Sequence, residues 1–138
     1  MNLILIDTNC LLSFVTDRNP RQANQVRELF LDADQQRSNL FICGNVLTEF
    51  VYVLTRLYEV PGGKAAKMSM DLLNSPGINF IPGYYPDELW KLWPTKVRDI
   101  GDAIVAATAK IENMKIATFD QKFRNACKKN AIGIHKFS

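Results

Sequence analysis

The sequence predicts a three-layer α/β/α sandwich built on a mainly parallel sheet. Short β-rich apolar runs alternate with amphipathic helical stretches along the whole chain, the order that produces right-handed βαβ units. The first of these runs, residues 3–6, is apolar at every position, as a central strand buried on both faces must be. A third observation points to function. Asp7, Glu49, Asp102 and Asp120 each fall where a predicted strand ends or a predicted helix begins, and in such folds ligands gather at the carboxyl ends of the strands.

The elements follow in order. The strand over residues 3–6 ends in Asp7, Thr8 and Asn9, which puts Asp7 at its carboxyl tip. A helix comes next, with Ala23, Val26, Phe30 and Ala33 at helical spacing and charges between them. Residues 40–43 form a second strand, and Gly44 and Asn45 turn the chain into a helix with the apolar stripe Val46, Phe50, Val53 and Leu57. Glu49 falls on that stripe, where an unpaired carboxylate is costly. Pro61, Gly62 and Gly63 break the helix, and residues 64–74 form another with Ala65, Met68 and Leu72 inward.

A third strand covers residues 78–81. The aromatic, proline-bounded segment PGYYPDELWKLWP has room for one short helix over residues 87–93. A helix over residues 101–113 sets Asp102 on one face with Val105, Ala106 and Ala109. A strand over residues 115–119 leads to Asp120, a basic helix covers residues 121–130, and a last short strand covers residues 133–137. No repeat, low-complexity tract or linker interrupts the chain, so its 138 residues read as a single domain over 1–138.

A hydrophobic content of 47% with 22% charged residues suits a globular chain with a full core. No apolar run approaches the roughly 20 residues that span a bilayer, and no basic segment precedes the first apolar run, so a cytoplasmic protein without membrane contact is expected. Cys10, Cys43 and Cys127 are odd in number and widely spaced, which fits buried thiols in a reducing compartment. The net charge of +3 is unevenly spread. Residues 1–90 hold 7 basic against 10 acidic side chains, whereas residues 91–138 hold 10 against 4. A phosphate backbone is a natural partner for the second half; a merely solvated basic face is the plainer reading of the same count.

Each acid also has a plainer reading. Asp99 and Asp102 have the spacing of a helix-capping pair, and Asp7 and Asp120 could close turns after strands. Glu49 resists such treatment, since no lysine or arginine lies one turn away on its helix. Four converging carboxylates would repel and raise one another's pKa unless a cation sat among them. Mg²⁺ or Mn²⁺ answers that need, because hard divalent ions prefer oxygen ligands; the single His135 and the scattered thiols argue against zinc.

At these residues the chain resembles the PIN-domain nucleases, whose fold is Rossmann-like, and in particular the small prokaryotic toxins of the VapC kind. The matching pieces are the apolar strand into Asp7-Thr8-Asn9, the helix bearing Glu49-Phe50, the stretch from Gly101 and Asp102 to Ala109, and Thr118-Phe119-Asp120 followed by Phe123, with 18 residues from Asp102 to Asp120. The resemblance implies that Asp7, Glu49, Asp102 and Asp120 form the metal-binding catalytic set. Asp99 would be an auxiliary acid one turn before Asp102, and Thr8, Asn9 and Thr118 would orient the acids or a water.

What it implies chemically is metal-assisted hydrolysis of RNA phosphodiester bonds without a protein nucleophile. Lys96, Arg98, Lys122, Arg124, Lys128 and Lys129 are the candidate phosphate contacts, and Tyr84, Tyr85, Trp90 and Trp93 could stack on bases, although Trp90 and Trp93 suit packing or an interface better. Similar toxins commonly form homodimers and are silenced by an antitoxin whose tail reaches the acidic pocket. Two other readings stay open: a PIN-like module that binds RNA or protein without cleaving, and a phosphoaspartyl phosphatase using Asp7. The latter wants a second Asp where this chain has Asn9.

Overall fold

The computed structural model describes residues 2–138. The elements run β1 (Asn2–Ile6), α1 (Thr8–Val15), α2 (Pro20–Asp34), β2 (Ser38–Cys43), α3 (Gly44–Arg56), α4 (Gly62–Leu73), β3 (Ile78–Ile81), α5 (Pro86–Leu92), α6 (Ile100–Glu112), β4 (Lys115–Ala117) and α7 (Gln121–Lys129). Four strands form one all-parallel sheet in the order β3-β2-β1-β4, with Leu5 opposite Phe41 on one side and Ile116 on the other. Seven helices flank it, as the sandwich requires.

The central place of β1 follows from its composition: Ile4, Leu5 and Ile6 are fully buried and can pack against helices on both faces. From β1 the chain steps outward through β2 to β3, then returns to the opposite side of β1 to lay down β4. The direction of winding therefore reverses between β1 and β4, and the crevice at the carboxyl ends of those two strands is the switch point where α/β folds bind ligands.

Helix α6 forms one wall of that crevice. Its residues from Ala103 to Ala109 are all buried, and four of the seven are alanine, which lets the backbone approach closely. The helix stops at Asn113, whose φ of 55° takes the left-handed C-terminal conformation that asparagine tolerates. The three cysteines are buried and unbridged, as expected. Among the described residues no helix is long and apolar enough to cross a membrane.

Several local expectations change. Helix α1 was not expected: TNCLLSFV carries no charge and is buried at five of eight positions, so it lacks the polar face that marks a helix in sequence. Glycines 62 and 63 do not precede the next helix but form its first turn after Pro61. β4 ends at Ala117 instead of 119, because its partner β1 ends opposite it at Ile6. The last strand reduces to one bridge, Ile134 to Ile116, since three-residue β4 offers little edge to pair with. The buried stripe of α3 is Val46, Phe50 and Leu54, while Leu57 is exposed; Glu49 lies beside that stripe, in the second turn, and is exposed.

Candidate active site at the sheet's switch point

Asp7 extends the β1–β4 ladder by one bond, its N–H donating to Ala117 O at 3.0 Å, and so is held at the mouth of the crevice. It is only 7% exposed. Its Oδ1 accepts from the Thr8 N–H at 2.9 Å and its Oδ2 from the Thr118 hydroxyl at 2.7 Å. Thr118, fully buried just past β4, gives its only proton to Asp7 and accepts the Asp120 N–H at 3.1 Å. One hydroxyl thus fixes two acids. Burial raises the Asp7 carboxyl, the bonds from Thr118 and Thr8 oppose this, and the charges of Asp120 and Asp99 raise it further.

The other acids come from helix starts. Asp120 caps α7, accepting the Phe123 N–H at 3.2 Å, and Asp99 caps α6, accepting the Asp102 N–H at 2.9 Å. Helix N-termini carry a partial positive charge that tolerates such carboxylates. Asp102, in the first turn of α6, is half-buried, and its carboxyl is raised from an ordinary 3.8 to about 8, by burial first and then by Asp7, Asp99, Asp120 and Glu49. Glu49 is raised by partial desolvation and then by Asp7 and Asp99, even though it stands at the open rim.

Gly101 is where α3 and α6 meet. A Cβ added there would lie 3.1 Å from Asp99 Oδ1 and 3.7 Å from Glu49 Oε2, and the Asn45 amide donates to Gly101 O at 3.1 Å. Sequence reasoning saw Asn45 only as a turn residue; no local signal could show that it tethers the helix carrying Glu49 to the one carrying Asp102. Among the described residues none of these acids has a Lys, Arg or His partner. The oxygens Thr8 Oγ1 and Asn45 Oδ1 are buried without hydrogen-bond partners.

A cleft of about 510 Å³ opens beside the acids, lined by Asp99, Asp102 and Asp120 together with Lys96, Arg98 and Lys122. Three of the six expected phosphate-binding residues therefore share a wall with the carboxylates. The remainder do not line it: Arg124 is half-buried, and Lys128 and Lys129 lie at the far end of α7, about 12 Å along the helix. The side-chain and backbone oxygens of Asn9 both accept from the Arg18 guanidinium, at 3.2 and 2.9 Å. The Trp93 indole N–H donates to Arg98 O at 3.0 Å and steadies the strand of chain that carries Arg98.

A parallel α/β sheet with a crowd of uncompensated carboxylates at its switch point defines a class of cation-seeking sites. Residues 4–129 match the model of the PIN domain, and the chain belongs to that family. None of the curated proteins is a significant sequence match. Among solved structures the chain is similar to VapBC2 from Rickettsia felis bound to a promoter DNA fragment (TM-score 0.70, 15% identity, 99% of both chains). It is similar also to Mycobacterium tuberculosis VapC20, a sarcin–ricin loop cleaving toxin (0.67, 19%, 89% of this chain and 94% of that one), and to FitAcB from Neisseria gonorrhoeae (0.61, 17%, 96% of both). At these identities the likeness is one of fold, and the fold is that of VapC proteins.

Proposed function

We propose that the protein is a metal-dependent endoribonuclease, using Mg²⁺ or Mn²⁺, and the toxin of a toxin–antitoxin pair. The observation that carries this reading is the crowding of Asp7, Glu49, Asp99, Asp102 and Asp120 with no cation of the protein's own among them; burial, and then these charges, raise the Asp102 carboxyl to about 8. Such a site is destabilised until a positive charge enters it.

The donor set fits a hard divalent ion. It is all oxygen, and the unpartnered Thr8 and Asn45 oxygens stand beside the carboxylates. Among the described residues no three acidic, histidine or cysteine side chains stand close enough to grip one ion directly, so water would complete the shell, as is usual for Mg²⁺. Asp7, Glu49, Asp102 and Asp120 would hold the ion in part through those waters, and when bound it would supply an activated water and charge neutralisation at the phosphoryl oxygens. Thr118 keeps Asp7 and Asp120 aimed, while Lys96, Arg98 and Lys122 bind the RNA phosphates along the cleft. Arg124, Lys128 and Lys129 act farther away, as a longer-range attractive field.

The RNA substrate is supported by the M. tuberculosis relative, described as cleaving the sarcin–ricin loop, and a partner antitoxin by the VapBC2 complex. A homodimer working in the cytoplasm belongs to the same reading. The phosphoaspartyl alternative gains nothing, since the second Asp it wants is Asn9, whose side-chain oxygen accepts from Arg18.

The test is cleavage of structured and unstructured RNAs by the purified protein in Mg²⁺, Mn²⁺ or EDTA, beside Asp102→Asn. Metal-dependent cutting that the substitution removes is expected. RNA binding without cutting under any metal would reduce the protein to a binding module.

A further inference from the structure

A second hollow, of about 600 Å³, opens between α3 and the end of β3, and Glu49 and Asn45 line it on the side nearest the acids. Its other walls carry Tyr52, Phe80 and Tyr84, which are 61%, 51% and 56% exposed. One exposed aromatic side chain is ordinary; three around a single concavity mark a binding surface. Among the described residues none of the three is paired with another aromatic ring.

The chain spends conformational strain to make this hollow. Tyr84 has a φ of 62°, a left-handed conformation that costs a tyrosine free energy, and it follows Gly83 at 79°. Glycine suits position 83 because L side chains rarely adopt that φ, and a Cβ there would also crowd Thr108 Oγ1 at 3.2 Å. Across the hollow, a Cβ on Gly44 would stand 3.0 Å from Pro82 O, so that bare residue lets the chain leaving β3 pass close over the start of α3. Glu49 and Tyr52 are one turn apart on α3, about 5–6 Å between Cβ atoms. The Arg56 guanidinium lies 5.8 Å from the Tyr52 ring centre and puts a positive charge at the outer rim.

We propose that this groove takes an unpaired nucleobase of single-stranded RNA, stacked on Tyr52, Phe80 and Tyr84, with the adjoining phosphate at the carboxylates; the proposal rests on the nuclease reading above. A hollow of this volume suits one or two bases, whereas a stable protein partner needs roughly 800 Å² on each side. Stacking tolerates any base, so the groove selects unpaired structure at the cut and not a letter of sequence.

The test measures binding of short single-stranded RNAs, about ten nucleotides, to full-length Asp102→Asn protein in Mg²⁺ by fluorescence anisotropy, with a set lacking one base at each position in turn. Tyr52→Leu and Phe80→Leu, made in that background, keep apolar volume and remove the ring faces. Expected is about tenfold weaker binding when one particular base is missing, a similar loss in the Leu variants with intact RNA, and no further loss on combining the two. Intact RNA bound equally by parent and Leu variants overturns the groove assignment. So does a fall from dimer to monomer in the Leu variants with RNA affinity unchanged, which would assign the groove to a protein. A parent that binds none of these RNAs, with metal-dependent RNA cutting also absent in the native protein, overturns the nuclease reading together with the groove; cutting retained beside unchanged Leu-variant affinity overturns the groove alone.

Discussion

Asp7 and Glu88 are almost equally buried, at 7% and 8% exposure, yet the molecule treats them in opposite ways. Glu88, on α5, meets Lys110 of α6 at 3.1 Å and Lys91 at 3.9 Å, and so joins two helices as a neutralised pair. Asp7 meets no cation among the described residues and is surrounded by Asp99, Asp102, Asp120 and Glu49. Among the described residues the fold places lysines beside the buried Glu88 and none beside the buried Asp7, the half-buried Asp102 or the exposed acids around them.

The contrast breaks first at Asp102. Asp102→Asn is expected to lower RNA cleavage by at least about a hundredfold, since even partners of metal ligands contribute ten- to a hundredfold, while the fold remains intact by circular dichroism. The same variant sharpens the contrast in stability. The folded Asp102 carboxyl holds its proton to about pH 8 while the unfolded one releases it near 3.8, so metal-free native protein loses stability as pH rises through that window. Asparagine removes this term, on the order of 2 kcal/mol at pH 8 after solvent screening. Melting of both proteins at pH 5 and pH 8, with and without Mg²⁺, checks it: without metal the variant should exceed native most at pH 8 and by roughly a third as much at pH 5, and Mg²⁺ should shrink the difference.

Glu88→Gln should do the reverse, costing about 1–2 kcal/mol of stability with cleavage unchanged, because Lys110 is partly exposed and can turn to water. Thr118→Val keeps shape but deletes the hydroxyl shared by Asp7 and Asp120; a roughly tenfold rise in the Mg²⁺ concentration for half-maximal cutting is expected. The smallest effect belongs to Lys128→Gln with Lys129→Gln. A lower salt slope of RNA binding by at most about 2, with cutting in the presence of saturating RNA unchanged, fits their position at the far end of α7.

Asp7, Asp102 and Asp120 could be placed from sequence because each lies near an element boundary that composition marks: an all-apolar run before Asp7, small residues after Asp102, and Ile116 and Ala117 before Thr118. Glu49, by contrast, lies in the second turn of α3. The convergence of the acids was not legible, since it depends on β4 returning beside β1, a pairing between distant segments that no local pattern encodes. Helix α1 escaped because it has no polar face. The orientation of Glu49 was misread for a different reason: Val53 and Leu54 are both apolar, and a short helix with neighbouring apolar residues leaves its inward face ambiguous by one position.

The unbroken buried run from Ala103 to Ala109 sets a limit on how this chain can change over time. A helix with one wet face can absorb substitutions there, but over these seven residues α6 has none, and each larger side chain would have to part the helix from the sheet. Random variation should therefore be purged from this stretch more severely than from any surface helix, and Asp102, anchored at its start, would keep its station while the rest of the sequence drifted.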